Sequence, residues 1–301
     1  MRDDAPGRSA RVVSVGRNAA WICFEDEDVV RLAQLRKGLE RLALVPGDLV
    51  AASRLEDERV IVERREPRTF ALERTTAGGR TKTMAANIDG IAIVAALARP
   101  VFHLAMIDEL IAFAEIHDIV ARLILTKADI ADDIDVPALV HTYASLGYVT
   151  LLANPKEGLG MDAVEATLAG HRTLLIGQSG VGKSSLFGAL GGTADVGEVS
   201  KIGRGKQTTT TGRLHRFADG FLIDSPGVGE FELHEITPAE LTMGFREFAA
   251  LPGSCRFTDC VHRDEPGCRI AAGVAAGAIA TTRYRSYRTI LDRTTDRGTT
   301  G

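Results

Sequence analysis

Long apolar runs are missing from this 301-residue sequence. A membrane-spanning helix needs about 20 mostly apolar residues, and no run here approaches about 18. The N-terminus, MRDDAPGRSARVV, also lacks the apolar core and the small-residue cleavage site of a secretory signal. These absences predict a cytoplasmic protein without a membrane partner, and nothing in the sequence calls for more than a monomer.

Cysteine is scarce, and its positions are uneven. Three of the four cysteines lie within 14 residues near the C-terminus. With one histidine they form the pattern C-x4-C-x-H-x5-C, made of Cys255, Cys260, His262 and Cys268. In a cytosolic chain such clustering favours a metal over disulfides, and three thiolates with one imidazole form a closed structural zinc shell. The alternative is a loop of reduced cysteines, whereas Cys23 lies in an apolar strand pattern and is predicted to be inert core.

The pattern of apolar residues divides the chain into three segments. Residues 1–82 contain five short strand-like runs separated by turns, which predict a small β-barrel of the OB type. Within this segment, the stretch from residue 66 has little periodicity and is predicted to be a basic linker. Residues 83–236 alternate strands with helices, which indicates a parallel sheet covered on both faces. Residues 237–301 are predicted to form a mostly helical zinc-binding domain that ends in a helix.

Charge is distributed unevenly along the chain. Residues 83–254 carry a net charge of −9, whereas residues 31–82 and 255–301 carry +4 and +3. Basic flanks can contact the phosphates of a nucleic acid, although a solvated surface explains such charge equally well. Two barrel aromatics, Trp21 and Phe24, could stack on bases, but filling the barrel core is the commoner role.

The C-terminal helical pattern also allows two interpretations. Arginine and aromatic side chains are interleaved in it, at Arg283, Tyr284, Arg285, Tyr287 and Arg288. This combination suits RNA, through phosphate contacts and stacking. Docking of the helix on its own protein explains the pattern equally well.

A glycine-rich stretch, GQSGVGKSS, follows the apolar strand pattern TLLI and precedes a run of helix formers. It fits the phosphate-loop motif GxxxxGK[ST] at every fixed position. The residues predicted to hold a nucleotide here are Gly177, Gln178, Ser179, Gly180, Val181, Gly182, Lys183, Ser184 and Ser185. In such loops backbone N–H groups surround the phosphates, the lysine reaches the β- and γ-phosphates, and the hydroxyl after it takes a Mg²⁺ position. The motif therefore predicts nucleotide binding but does not select the base.

Two further motifs supply catalytic candidates. FLIDSPG ends a strand pattern with Asp224, which can hold Mg²⁺ through water, and places Gly227 where its N–H can contact a γ-phosphate. GKQTTTTG precedes it, and one threonine hydroxyl from this loop could complete the Mg²⁺ shell. Thr209 is the predicted residue and Thr210 the second choice. With Lys183, these residues form the predicted catalytic set.

The tetrapeptide TKAD predicts which base is bound. It comprises Thr126, Lys127, Ala128 and Asp129 and follows the strand pattern ARLIL. The Asp129 carboxylate can accept hydrogen bonds from the two N–H groups on the guanine edge, whereas adenine would leave it poorly paired. Lys127 would lie along the purine face. Thr126 stands where the usual motif has Asn, so its contact to the phosphate loop would be shorter.

The order of the motifs is unusual, because TKAD precedes the phosphate loop, the threonine run and DSPG. Ligand sites on open parallel sheets form at the carboxyl ends of the strands. That geometry survives if the chain is cut in one loop and rejoined at the old termini, which often lie close together. A circular permutation of a GTPase domain produces the order found here.

These residues together resemble the circularly permuted GTPases and, with both flanks included, the ribosome small-subunit-dependent GTPase A family. The resemblance covers nearly the whole chain: the small barrel, AANID at Ala85–Asp89, TKAD, GQSGVGKSS, the threonine run, DSPG and the cysteine cluster. It implies a GTPase that binds the small ribosomal subunit and its rRNA and couples GTP hydrolysis to late subunit maturation and its own release. Leu152–Ala153 depart from the usual Ser-Ala, and Gln207 replaces a frequent His.

The expected enzyme uses Mg²⁺ with GTP and one structural zinc ion. Small GTPases orient the attacking water with a Gln just after the DxxG motif, and Val228 stands there in this chain. We therefore expect a low basal rate that the small subunit stimulates. The alternatives are a P-loop ATPase or kinase with an accessory zinc module, and a GTP-binding rRNA-binding module with little turnover. ATP preference and indifference to Asp129→Asn would favour the first alternative.

Overall fold

The computed structural model describes residues 7–16, 18–39, 43–75, 81–99, 101–131, 134–192, 213–224, 236–263 and 265–297. Two compact units are present. The first comprises Met1–Gly90, Pro155–Ile176 and Lys183–Val228, and the second Ile91–Asn154, Gly177–Gly182 and Gly229–Gly301. Across the described ranges, no helix has both the length and the apolar character that a membrane span requires. The division into residues 1–82, 83–236 and 237–301 stays a prediction.

Five strands of the first unit close into a barrel in the order β1-β2-β3-β5-β4. They are β1 (Arg8–Val15), β2 (Ala19–Phe24), β3 (Val30–Leu35), β4 (Leu49–Arg54) and β5 (Val60–Arg65). Alternate side chains fill the interior, including Val12, Ile22 and Val62, all fully buried. Phe24 belongs to this core, whereas Trp21 is half-buried and lies opposite Leu32 of β3. The predicted barrel is therefore present, and Phe24 fills its core.

The stretch predicted to be an irregular linker contains a hairpin instead. Strands β6 (Ala71–Thr75) and β7 (Thr81–Ala86) pair antiparallel. Arg68 donates to both carboxylate oxygens of the fully buried Asp48, at 2.7 and 2.9 Å. This contact ties the stretch before the hairpin to the barrel. The linker prediction was wrong because the strands are short and their stability comes from long-range pairing, which periodicity does not reveal.

Each unit also contains three strands that pair as a sheet. In the second unit the order is β10-β9-β8, with β8 (Gly90–Ala96), β9 (Val120–Thr126) and β10 (Val149–Ala153). In the first unit it is β11-β13-β12, with β11 (Arg172–Ile176), β12 (Arg213–Phe217) and β13 (Gly220–Asp224). The pairs β9–β10 and β11–β13 are parallel, as predicted, but β12 pairs antiparallel with β13. Strand β12 was not predicted from the sequence, and its polar side chains suit an edge strand.

Eight α-helices are present in the described residues. They are α1 (Leu104–Ile116), α2 (Val136–Ser145), α3 (Met161–Leu168), α4 (Lys183–Ala189), α5 (Pro238–Met243), α6 (Arg246–Ala250), α7 (Arg269–Ala275) and α8 (Thr281–Arg297). Local sequence determines several of their starts. Asp135 caps α2 by accepting from the Ala138 N–H, and Thr237 with Glu240 forms a capping box at α5.

The C-terminal helix α8 packs on its own protein, within the second unit. Arg283 is 1% exposed and donates to Glu247 of α6, with an Nε–Oε1 distance of 2.7 Å, and to Asp108 of α1. Burial opposes the charge of Arg283, but the two carboxylates more than offset this and raise its pKa. Tyr287 is also fully buried, whereas Arg285 is exposed. Docking therefore accounts for Arg283 and Tyr287, and the RNA interpretation is wrong for these two side chains.

The turn at Gly47 offers a test of the barrel. Gly47 has φ +90°, and a Cβ there would lie 2.1 Å from the carbonyl oxygen of Ala86. Gly38 has a similar φ of +101°, and a Cβ there would meet no atom within 4 Å. We expect Gly47→Ala to lower the free energy of unfolding by about 3 kcal/mol or more, because backbone must move. Gly38→Ala is the matched control and should cost only about 1 kcal/mol of left-handed strain.

Denaturant unfolding followed by tryptophan fluorescence and circular dichroism measures both variants. Equal losses for the two substitutions would show that left-handed strain alone, without the contact to Ala86, determines the cost.

Candidate nucleotide and metal sites

The phosphate loop connects β11 to α4, and its backbone conformation explains its glycines. Gly177 has φ +152°, and a Cβ there would lie 2.1 Å from the carbonyl oxygen of Val94 on β8. Gly180 and Gly182 have φ of +81° and +104°, in the left-handed region that glycine adopts without strain. Glycine is thus required at position 177 by both backbone conformation and packing. Glycines in such conformations are typical of loops whose successive backbone N–H groups form a concave anion site.

The loop lysine lies beside the predicted Mg²⁺-binding aspartate in the first unit. Lys183 begins α4 and is 6% exposed. Burial lowers the pKa of its ammonium group, and the Asp224 carboxylate partly opposes this shift. Burial raises the pKa of Asp224 at the end of β13, while Lys183 acts in the opposite direction. Each group therefore favours the charged form of the other, while burial disfavours both charges.

Ser184 and Asp224 fit a divalent cation. The Ser184 hydroxyl donates to Asp224 Oδ2 over 3.5 Å, at the outer limit of a hydrogen bond. Asp224 Oδ1 is buried and has no hydrogen-bond partner among the described residues. A buried carboxylate oxygen without a donor is costly, and oxygen ligands are those that Mg²⁺ prefers. The donor set therefore suits Mg²⁺, either directly or through a coordinated water.

TKAD meets the phosphate loop through two side chains, all within the second unit. Thr126, at the end of β9, is 2% exposed and donates through Oγ1 to the carbonyl oxygen of Val181 over 2.7 Å. Lys127 has a left-handed φ of +59°, and its Nζ donates to the Gly180 carbonyl oxygen over 3.0 Å. The shorter threonine therefore still reaches the phosphate loop.

The remaining base-recognition candidates lie at the same strand ends. Ala128 and Asp129 form a short 3-10 turn after β9, and Asp129 is exposed. No hydrogen bond of the Asp129 carboxylate occurs in the described ranges, so it can accept from a ligand. Leu152–Ala153 occupy the place of the usual Ser-Ala pair. Ala153 lies opposite Thr126 in the parallel register of β9 and β10.

One contributor to this arrangement was not predicted from the sequence. Lys127 also donates to the carbonyl oxygen of Arg99, in the loop after β8. The position of Arg99 just after a strand could have indicated this contact, because the carboxyl ends of parallel strands meet at one edge of a sheet. Several residues considered in the sequence analysis lie outside the described residues. They are Gln207, Thr208, Thr209, Thr210, Thr211, Gly227 and Val228.

The four predicted metal ligands converge in the second unit. The ligand atoms of Cys255, Cys260, His262 and Cys268 all lie within 4.8 Å of one another. The three Sγ atoms are 3.4 to 3.5 Å from His262 Nδ1. Tetrahedral zinc with ordinary Zn–S and Zn–N bonds would set these separations at about 3.6 Å. The cluster could therefore hold a metal ion, and its geometry fits zinc.

Neighbouring residues hold the cluster in shape. His262 has a left-handed φ of +63°, a conformation that packing must impose on a non-glycine residue. The Tyr284 hydroxyl donates to the His262 carbonyl oxygen over 2.8 Å, and Tyr287 donates to that of Val261 over 2.9 Å. Glu265 accepts from the Val261 N–H over 2.8 Å. The two tyrosines of α8, considered for RNA stacking from the sequence, thus support the loop that carries the four candidate metal ligands.

A phosphate loop, a strand-ending aspartate and a base-recognition turn that precedes them in sequence define a P-loop GTPase with circularly permuted motif order. Comparison with known proteins agrees. The family model described as RsgA GTPase matches residues 65–234, and the chain belongs to the RsgA GTPase family. As a member of this family it is a GTPase, a hydrolase of GTP, and the ATPase or kinase alternative is set aside.

Individual curated proteins and solved structures are also similar to this chain. The chain is 40% identical over 274 residues to the small ribosomal subunit biogenesis GTPase RsgA of Pseudomonas syringae pv. tomato, covering 89% of this chain and 80% of that one. The Chromohalobacter salexigens protein of the same name is 39% identical, covering 98% and 88%. YjeQ from Thermotoga maritima matches with a TM-score of 0.76 and 29% identity, covering 95% and 98%. YloQ, described as a circularly permuted GTPase, shares the fold with a TM-score of 0.74 at 24% identity, covering 99% and 98%.

The contact of Thr126 with Val181 generates a test of the nucleotide site. Thr126→Val keeps the shape of the side chain but leaves the buried Val181 carbonyl oxygen without its donor. We expect GDP affinity to fall about tenfold, because an unpaired buried carbonyl costs about 1–3 kcal/mol and the loop shifts to recover a donor. Thr126→Ser retains the hydroxyl and is the matched control. Titration calorimetry with GDP and Mg²⁺ measures all three proteins, and equal affinities would show that this contact does not position the loop.

Proposed function

We propose that this GTPase binds the small ribosomal subunit, contacts its rRNA, and couples GTP hydrolysis to late subunit maturation and its own release. The observation that carries the proposal is the 40% identity, over 80% of the relative's length, to a protein named small ribosomal subunit biogenesis GTPase. The arrangement of TKAD against the phosphate loop supports the same function. A cytoplasmic location follows from this role and, like the monomeric state, stays a prediction.

We assign the nucleotide contacts by motif. Asp129 accepts from the guanine edge, and the exposed, unpaired state of its carboxylate in the described residues supports this role. Lys183 neutralises the β- and γ-phosphates. The proposed nucleotide-binding set is Thr126, Lys127, Ala128, Asp129, Gly177, Gln178, Ser179, Gly180, Val181, Gly182, Lys183, Ser184 and Ser185.

The hydrolysis residues are proposed from the same geometry. Ser184 and Thr209 would bind Mg²⁺ and Asp224 would support it through water, where the ion would neutralise charge on the phosphates. Gly227 would contact the γ-phosphate and so report its presence. Val228 has no polar side chain to orient water, so the basal rate is low and the small subunit supplies or orders the missing group.

Hydrolysis rates test this function directly. We expect purified small subunits to raise the single-turnover rate of GTP hydrolysis at least tenfold, because a partner that completes such a site supplies about 10³-fold or more in related enzymes. Asp129→Asn is a matched variant that removes the guanine acceptor and should weaken GTP binding while leaving the fold intact. A rate that stays near background with saturating subunits would favour a GTP-binding rRNA-binding module with little turnover.

We propose that the metal held by Cys255, Cys260, His262 and Cys268 is one structural zinc ion. Three thiolates and an imidazole match the preference of zinc, and a closed shell leaves no position for a catalytic water. The ion would hold a loop whose backbone is otherwise strained at His262. Because α8 packs on this loop through Tyr284 and Tyr287, the metal would also stabilise the second unit.

Metal content tests the zinc assignment. We expect one zinc per chain in the wild type and a loss of nearly all of it in Cys255→Ser, with a fall in thermal stability, since structural zinc contributes folding energy directly. Cys23→Ala removes the buried barrel cysteine and is the control that keeps one zinc per chain. Atomic emission and thermal unfolding provide the two readouts. An unchanged zinc content in Cys255→Ser would exclude the assignment.

A further inference from the structure

A cavity of about 240 Å³ lies in the first unit, where the barrel meets the hairpin of β12 and β13. Its lining includes three arginines from three different strands: Arg11 of β1, Arg172 of β11 and Arg216 of β12. Phe221 of β13 also contributes, and Arg11 stacks on its ring with the guanidinium carbon 4.5 Å from the centroid. None of these residues belongs to the nucleotide or metal sites.

Each of the three guanidiniums uses some of its N–H groups to donate to carboxylates and backbone carbonyl oxygens, which hold it in place. Arg11 donates through Nε to Glu25 over 3.1 Å and through Nη1 to the Gly47 carbonyl oxygen over 3.1 Å. Arg172 donates through Nε to Asp89 over 3.0 Å. Arg216 uses its Nη groups on the carbonyl oxygens of Glu25 and Glu27 and on Asp28. The three orientations are therefore fixed before any ligand arrives, which reduces the entropic cost of binding.

Several donors remain available. Both Nη groups of Arg172 and the Nη2 group of Arg11 make no hydrogen bond within the described part of the chain. Arg11 is only 9% exposed, and burial lowers its pKa. The Glu25 carboxylate acts in the opposite direction, and the charges of Arg172 and Arg216 make smaller contributions in the same direction as burial. Like charges are thus held near one another at a cavity. An anion between them would relieve this repulsion and pair the free donors.

We propose that this cavity, which we call the arginine pocket, binds a phosphate group. Arginine forks match the oxygens of phosphate in pairs. Each of the three guanidiniums is paired with one carboxylate, Glu25, Asp89 or Asp28, so a bound phosphate would be held by the donors that these pairs leave unused. The phosphate can belong to an RNA backbone or to a free phosphate species. This inference goes beyond the proposed function, because the pocket requires neither GTP nor the ribosome to be occupied.

Phosphate binding in the arginine pocket would affect the hairpin of β12 and β13, because the pocket lies at one end of it. The arginine pocket contacts Phe221 and Arg216, which belong to the hairpin whose other end carries Asp224. Arg213 pairs with Asp224 in that antiparallel register, and Arg216 pairs with Phe221. Phosphate bound in the pocket would therefore stabilise the strand pair that positions Asp224.

The test uses full-length protein loaded with Mg²⁺ and GDP, so that the phosphate loop is already occupied, at fixed ionic strength. The probes are inorganic phosphate and a trinucleotide RNA without terminal phosphates. Nitrogen-15 NMR of the arginine Nε–Hε groups follows binding. We expect saturable shifts for Arg11, Arg172 and Arg216. Tighter binding of the trinucleotide identifies the RNA backbone as the source, and tighter binding of inorganic phosphate identifies a free species.

Three variants make the test specific. Arg172→Gln removes free donors and should weaken binding about tenfold. Asp219→Asn removes a lining carboxylate and should strengthen binding about threefold, and asparagine tolerates the φ of +62° at this turn. Arg59→Gln is the control, since Arg59 pairs with Asp57 on the barrel surface and should leave affinity unchanged. Absence of shifts with both probes, or wild-type affinity in both pocket variants, would refute the pocket.

Discussion

The hydrogen bond from Thr126 to the Val181 carbonyl oxygen joins TKAD to the phosphate loop, and the candidate nucleotide site is built around this contact. It joins the end of one parallel strand to the loop that follows another, across a separation of 55 residues. Lys127 adds a second link at Gly180. Both links join residues at strand ends, so they can form whatever the order of the strands along the chain. A permuted chain can therefore assemble the same site as an unpermuted one.

The second unit is organised around a buried charge. Arg283 lies between Asp108 and Glu247, and Tyr143 donates to Asp108 over 2.7 Å. Buried pairs of this kind contribute little net stability when complete, but removing one partner leaves an uncompensated charge. The network therefore specifies how α8 sits on α1 and α6. Because α8 also holds the loop of the cysteine and histidine cluster through its tyrosines, that cluster and the helices form one structural unit.

The first unit has a comparable linkage between the barrel and the hairpin of β12 and β13. Arg216 reaches the loop after β2, and Arg11 stacks on Phe221. Each arginine satisfies acceptors on the barrel side while its charge remains near the arginine pocket. The hairpin therefore has Asp224 at one end and the proposed pocket at the other.

The sequence by itself determined the features that rest on short-range chemistry. Gly177, Gly182 and Lys183 encode a backbone conformation and a charge, and the spacing of Cys255, Cys260, His262 and Cys268 encodes a ligand set. Motif order added the permutation, because strand ends meet at one sheet edge whatever their order. Tertiary structure alone decided the rest: the hairpin after Arg68, the antiparallel β12, the burial of Arg283 and the convergence of Arg11, Arg172 and Arg216. Each of these depends on partners far away in sequence, and neither periodicity nor composition specifies which distant partner a polar side chain will meet.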